Sequence, residues 1–199
     1  MAAFTFRALT PGRLADFEEL FGPRGACAGC WCMFWRLTRP AWVKGQGEGN
    51  RRAMRRIVKG GEAPGILAYS GDRAVGWCAV APRAALSALE RSRILQPVDD
   101  QPVWSITCFF VAKPYRRRGL TVKLIEAAAA HARKGGATIV EGYPVEPRKG
   151  AMPDVFAFIG LAAAFRRAGF TEVARRSDAR PIMRRTLRKA PPRRSVGLP

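Results

Sequence analysis

Apolar positions along this chain switch several times between a period of two and a period of three to four, and each switch marks an element. Residues 4–9, Phe-Thr-Phe-Arg-Ala-Leu, alternate and predict a first strand. Thr10-Pro11 then opens a helix whose apolar face is Leu14, Phe17, Leu20 and Phe21, ended by Gly22-Pro23. Asn50 is placed to cap a second helix that runs to Lys59 and closes at Gly60-Gly61. Residues 65–70 and 74–81 are apolar runs joined around Gly71-Asp72, a hairpin signal. A short helix over 84–93 precedes a fourth strand over 103–111. An Ala-rich amphipathic helix over 122–133 and a fifth strand over 138–143 come next. A helix over 161–168, stopped by Gly169, leads to a last pair of strands over 170–174 and 181–187. The order β-α-α-β-β-β-α-β-α-β-β predicts one α/β domain over residues 1–187.

The most informative stretch is Val111-Ala112-Lys113-Pro114-Tyr115-Arg116-Arg117-Arg118-Gly119-Leu120-Thr121. A strand leads in and a helix leads out. The first turn of a helix carries unpaired N–H groups and a partial positive charge, so a diphosphate placed there meets donors and favourable potential together. Gly119 lets backbone approach a ligand closely, and Arg116, Arg117 and Arg118 add fixed positive charge. No Gly-Lys-Ser/Thr follows, which excludes a nucleotide P-loop, and a single glycine does not make a dinucleotide fingerprint.

The segment is similar to the pyrophosphate loop of the GNAT acetyltransferase superfamily, which reads Arg/Gln-x-x-Gly-x-Gly/Ala after a strand ending in Val-x-Pro-x-Tyr-Arg. Arg116 and Gly119 fill the first two marked positions, and Thr121 departs from the usual small residue at the last. Phe165-Arg166-Arg167-Ala168-Gly169-Phe170 resembles the same family's segment before the sixth strand, so the likeness covers residues 4 to 187. It implies a mixed, mostly antiparallel sheet of six to seven strands flanked by helices, splayed between strands 4 and 5. It further implies that backbone amides of Phe110 and Val111 hold the thioester and pantetheine arm, and that the 116–121 loop, Leu120 and Thr121 included, takes the pyrophosphate. The cosubstrate is then acetyl-CoA and the acceptor a primary amine.

The resemblance also says where catalytic groups should stand, and here the chain departs. The usual glutamate base on strand 4 falls at Ser105, which cannot be that base but can hold a water. The nearest carboxylate by strand position is Glu141, in the otherwise apolar run 138–143. Glu141 is expected either to bind or deprotonate the acceptor through water, or to be an exposed edge residue or sit in a structural ion pair with one of many arginines. The usual tyrosine acid falls at Phe165, so the acid is absent or elsewhere; Tyr143, Tyr115 and Cys108 are weak substitutes.

Cys27, Cys30 and Cys32 form a C-x-x-C-x-C segment, flanked by Trp31, Met33, Phe34 and Trp35, that looks like one in a little-characterised GNAT subgroup. With no second cysteine pair following, buried or pocket-lining thiols are favoured over a zinc site or a redox pair, and no metal is expected. His131 is expected on a helix surface. No apolar run approaches the roughly 18 residues of a membrane span, and the N-terminal residues lack a signal-peptide core. A cytoplasmic protein with reduced thiols is expected. The net charge of +20 admits nucleic-acid binding, but the basic residues are spread along the chain without a nucleic-acid motif. The basic, proline-containing residues 188–199 are expected to be a flexible tail. A CoA-binding domain without catalysis, and a homodimer, stay open at this point.

Overall fold

The computed structural model describes residues 3–147 and 154–187, with side chains from 157 onward in the second stretch. Residues 188–199, expected to be a tail, lie outside the described residues. Among the described residues seven strands form one sheet: β1 (Phe4–Ala8), β2 (Gly65–Ser70), β3 (Arg73–Pro82), β4 (Trp104–Val111), β5 (Ile139–Gly142), β6 (Thr171–Arg175) and β7 (Pro181–Thr186). Their order in space is β1-β2-β3-β4-β5-β7-β6. Every neighbouring pair is antiparallel except β4 and β5, which run parallel.

Among the described residues six α-helices accompany the sheet: α1 (Leu14–Phe21), α2 (Arg39–Lys44), α3 (Glu48–Lys59), α4 (Ser87–Glu90), α5 (Leu120–Lys134) and α6 (Ala162–Arg167). α5 buries Leu120, Leu124, Ile125, Ala128, Ala129 and Ala132, a stripe at helical spacing. The stripe lies against Ile66, Ala68, Val75, Val80, Ile106 and Val140 of the sheet. Gly76 makes the close approach workable, since a Cβ there would come within 3.2–3.3 Å of Leu120 and Leu124. The other face is covered by α1 and α3, with Phe17, Phe21, Trp31, Met54 and Val58 packed on Leu67, Tyr69 and Trp77. A third cluster on that face joins Trp35, Leu86, Leu89 and Leu95 to Tyr143 and Ile182.

One local expectation is corrected, and one helix was not anticipated. Asn50 does not cap α3; it is completely buried inside the helix, and its Nδ2 donates to Gly29 O at 3.1 Å and to Trp42 O at 3.2 Å. Gly47 stands at the cap position instead. The amide of Asn50 thus ties the loop after α1 to α2, a tertiary use that a cap pattern cannot reveal. α2 itself was not anticipated. It is one short helix with Pro40 in its first turn, and Thr38 Oγ1 accepts from Ala41 N at 3.3 Å. Among the described residues no helix is long and apolar enough to cross a membrane.

Candidate functional site

The site begins where β4 and β5 part. The two strands pair at three positions only, Trp104 with Val140, Ser105 with Glu141 and Ile106 with Gly142. Beyond Ile106, β4 continues along β3 to Val111. The chain after β5 turns instead to Val145, which bridges to Leu161. The expected splay between the fourth and fifth strands is therefore present. On the α5 face its opening is filled by aromatic rings: Phe165 lies edge-on to Phe109 at 6.0 Å and to Phe170 at 5.1 Å. A Cβ at Gly142 would overlap the Phe165 ring.

A bulge in β4 sets which side chains face which way. Ala79 pairs with Cys108 and Val80 with Ile106, so Thr107 is the extra residue. Ile106 and Phe109 consequently both pack in the α5-side core. Cys108 and Phe110 turn to the α1 and α3 side, where the Phe110 ring lies 5.6 Å from that of Phe21.

Past Val111 the chain makes a short 3₁₀ turn, Lys113–Tyr115, and enters the arginine loop. Arg116 is extended, and its Nε donates to Val111 O at 2.9 Å, fastening the loop to the end of β4. Arg117 is left-handed at φ 59°, and Gly119 is left-handed at φ 75°, ψ 5° directly before α5. Backbone that changes hand in this way forms anion-binding concavities. A Cβ on Gly119 would meet nothing within 4 Å. Glycine is therefore demanded at that position by φ, not by crowding within the protein. Arg118 rests over the Tyr115 ring at 5.8 Å, while Leu120 is buried and anchors the first turn. Thr121 lies half-buried in that same turn. Phe110, Val111 and residues 116–121 are thus brought together as one continuous surface at the open end of β4. Helix N–H groups and a left-handed glycine lie beside three exposed arginines here, the donors and charge that an anion such as a diphosphate could use.

Ser105 and Glu141 are also brought together, but not at an open surface. Both are completely buried. Tyr143 Oη donates to Glu141 Oε1 at 2.6 Å, and Arg184 Nε donates to Oε2 at 2.6 Å. Arg83 Nη1 approaches Oε1 at 3.4 Å and donates to Tyr143 Oη at 2.7 Å. Ser105 Oγ lies 2.8 Å from Tyr143 Oη. Since the Tyr143 proton is used on Glu141, the serine hydroxyl is the donor of that pair. Arg83 is secured further by Leu95 O at 2.7 Å, and Arg184 by Asp99 at 2.6 and 3.1 Å. Burial holds the Tyr143 phenol well above its ordinary pKa, so it stays protonated. Of the expectations for Glu141, the structural ion pair with arginine is the one the structure has: both its oxygens are engaged and the residue is completely buried. It is an ionic knot that joins the end of β3 to β4, β5 and β7. Arg83 and Arg184 were invisible as its partners, because they lie 58 and 43 residues from it in the chain.

Phe165 stands at the position expected for an acid and is completely buried. His131 is half-buried instead of surface-lying, with Nε2 3.2 Å from Ala63 O. Among the described residues no group of three His, Cys, Asp or Glu side chains is arranged to hold a metal ion. On the α1 and α3 side a cleft of about 610 Å³ opens beside Trp31, Glu18, Glu48 and Arg51. The carboxyl of Glu18 there is pulled down to about 2, first by its hydrogen bond from Arg55 and then by Arg51, against the opposing effect of burial.

No curated protein matches the chain in sequence. Among solved structures, similar folds include a GNAT-family acetyltransferase from Listeria monocytogenes, at 10% identity and TM-score 0.57 over 94% of this chain and 98% of that one. A putative GNAT acetyltransferase from Desulfovibrio desulfuricans is 18% identical, at TM-score 0.51 over 92% and 99%. The PaiA N-acetyltransferase of Thermoplasma acidophilum, solved in complex with coenzyme A, is 11% identical, at TM-score 0.51 over 93% and 99%. The family model described as "Acetyltransferase (GNAT) family" matches residues 31–153, more than half of the chain. With that match, the splayed β4 and β5 and the glycine-opened α5 place the chain in the GNAT acetyltransferase family.

Proposed function

We propose that the protein is an acetyl-CoA-dependent N-acetyltransferase that acetylates a primary amine by direct attack on the thioester. The observation that carries this reading is the continuous surface from Phe110 and Val111 through the arginine loop to the left-handed Gly119 and the first turn of α5. Acetyl-CoA supplies an activated acetyl group. The loop amides of residues 117–121 and the N-terminal potential of α5 bind the diphosphate, and the free backbone edge at Phe110 and Val111 orients the pantetheine arm. The coenzyme A complex of the Thermoplasma neighbour supports the choice of cosubstrate. The acceptor enters from the side of α1 and α3, away from the Phe165 plug.

Glu141 and Ser105 are positioning residues in this reading. Their knot with Tyr143, Arg83 and Arg184 fixes the apex from which β4 and β5 diverge. The acceptor loses its proton to solvent, and rate comes from holding amine and thioester together. The buried Phe165 and the sealed Glu141 favour a second reading, a CoA-binding domain without turnover.

Calorimetry with acetyl-CoA tests the site. Gly119→Glu puts a side chain and a negative charge where the diphosphate belongs, at a left-handed backbone position. Affinity should fall by about two orders of magnitude, roughly 3 kcal/mol. An unchanged affinity in a folded variant refutes the loop assignment. Release of free thiol from acetyl-CoA with a panel of amines then separates the two readings, since the second yields none.

A further inference from the structure

Among the described residues six large apolar side chains are exposed by more than a third, and two of them are aromatic: Phe34 and Phe158, each 38% exposed. They are far apart in the chain, yet their rings lie edge to face, with centroids 6.3 Å apart and planes at 85°. Single exposed apolar residues are ordinary on a protein surface, whereas a pair drawn together from separate segments is a patch. The pair is the open end of a larger array. Phe34 also meets Trp35 at 5.0 Å and 89°, and Trp42 at 5.4 Å and 90°. Neighbouring rings are all near-perpendicular, the arrangement that the ring quadrupole prefers.

The array stands over the opening between β4 and β5. Trp42 packs on the same cluster as Cys108 and Phe110 of β4. Trp35 belongs to the cluster of Tyr143, which directly follows β5. Phe34 touches both tryptophans, so it bridges the two clusters where the strands diverge. Phe158 arrives on the 3₁₀ turn Asp154–Ile159, which packs beside β4. Its neighbour Ile159 joins the Trp35 cluster, and a Cβ at Gly160 would come within 2.9 Å of the Phe109 and Phe165 rings, so this turn is pressed onto the sheet. The Phe34 segment is held as firmly: Ala88 N donates to Trp35 O at 3.0 Å and Ser87 Oγ to Arg36 O at 3.0 Å. Both exposed rings are therefore fixed before any ligand arrives, on the face assigned above to the acceptor.

Resting on the acetyltransferase reading, we propose that Phe34 and Phe158 recognise the body of the acceptor, and that the acceptor is a primary amine joined to an aromatic ring by an aliphatic arm. A ligand ring continues the perpendicular array and takes the two exposed rings out of water. The arm carries the nitrogen from the rings toward the thioester at Phe110 and Val111. A plain aliphatic amine makes no edge-to-face contact there and gains less from rings already fixed. The neutral amine attacks the thioester carbonyl carbon; the C–N bond forms, the C–S bond breaks, and the proton lost by nitrogen balances the one taken up by the CoA thiolate.

The test is calorimetry on the full-length protein saturated with coenzyme A, which reads binding without turnover. The probes are 2-phenylethylamine, hexylamine, 1,4-diaminobutane and choline. The native protein should bind 2-phenylethylamine about tenfold more tightly than any of the others. Phe34→Leu and Phe158→Leu keep apolar bulk and remove the ring; each should weaken 2-phenylethylamine about fivefold and leave hexylamine and coenzyme A affinities unchanged. Val43→Ala, at an exposed side chain outside the array, should change nothing. Equal or tighter binding of hexylamine, 1,4-diaminobutane or choline by the native protein overturns the proposal, as do leucine variants that bind 2-phenylethylamine as the native protein does. A protein that binds coenzyme A but not the aromatic amine removes this proposal alone, and one that does not bind coenzyme A removes the acetyltransferase reading with it. The native protein's ranking of the four probes decides the matter even where a variant fails to fold.

Discussion

Glu141→Gln is the perturbation that separates an ionic knot from a catalytic base. The glutamine keeps the size of the side chain and one acceptor oxygen, but turns an amide N–H₂ toward guanidinium donors. In the native arrangement Glu141 accepts from Tyr143 and Arg184, each at 2.6 Å, and lies 3.4 Å from Arg83. Removing one partner of a buried ionic group typically costs about 3–5 kcal/mol. Arg184 keeps Asp99, and Arg83 keeps Tyr143 and the Leu95 carbonyl. These remaining contacts place the expected loss at the low end, about 3 kcal/mol, against a typical total stability of about 5–15 kcal/mol. For a domain of this size the melting temperature should fall by about 6–12 °C. Urea unfolding followed by circular dichroism measures the first quantity, with coincident fluorescence and dichroism curves as the check on two-state behaviour. With an acceptor in hand, the folded variant should keep kcat/KM within about tenfold, whereas loss of a general base costs about 10² to 10⁴. A stability change below about 1 kcal/mol together with a drop of 10² or more in kcat/KM would refute the knot and restore Glu141 as the base.

Three further outcomes follow from the geometry. Phe165→Tyr restores the residue type expected of an acid, yet the ring is fully buried against Gly142, Phe109 and Phe170. It should cost about 1–3 kcal/mol for an unsatisfied hydroxyl and yield no rate gain; a faster enzyme of equal stability contradicts the packing argument. Glu18 is pulled from 4.5 to about 2, mainly by its hydrogen bond from Arg55, so its tie between α1 and α3 stabilises the fold above pH 4.5 and is lost as pH falls toward 2. Urea midpoints taken between those two pH values should fall more steeply for the native protein than for Glu18→Gln, and superimposable curves sink the linkage. Arg116→Ala frees the loop from the Val111 carbonyl and should raise the dissociation constant for CoA several-fold without changing the melting temperature; a binding constant identical to that of the native protein removes the fastening role.

Period and turn chemistry determined much of this protein without reference to distant residues. The alternation in β1, the hairpin of β2 and β3 around Gly71-Asp72, the apolar stripe of α5 and the glycine that opens it all depend on neighbours within a few positions. Their elements were therefore readable from the chain, and so was the basic turn with its left-handed glycine that leads into α5. Side-chain environment was not readable. Glu141 looked like an isolated carboxylate in an apolar strand. Only the pairing of β5 with β4 and β7 brings Ser105 and Arg184 to its flanks and folds Arg83 over it. Asn50 matched a capping pattern, yet its amide is used by two carbonyls, one 8 and one 21 residues away. The bulge at Thr107 has no signature in the run Trp104–Val111, although it decides that Cys108 turns to the α1 and α3 side. A local pattern records which face a residue prefers, and only the closed sheet decides what waits on that face.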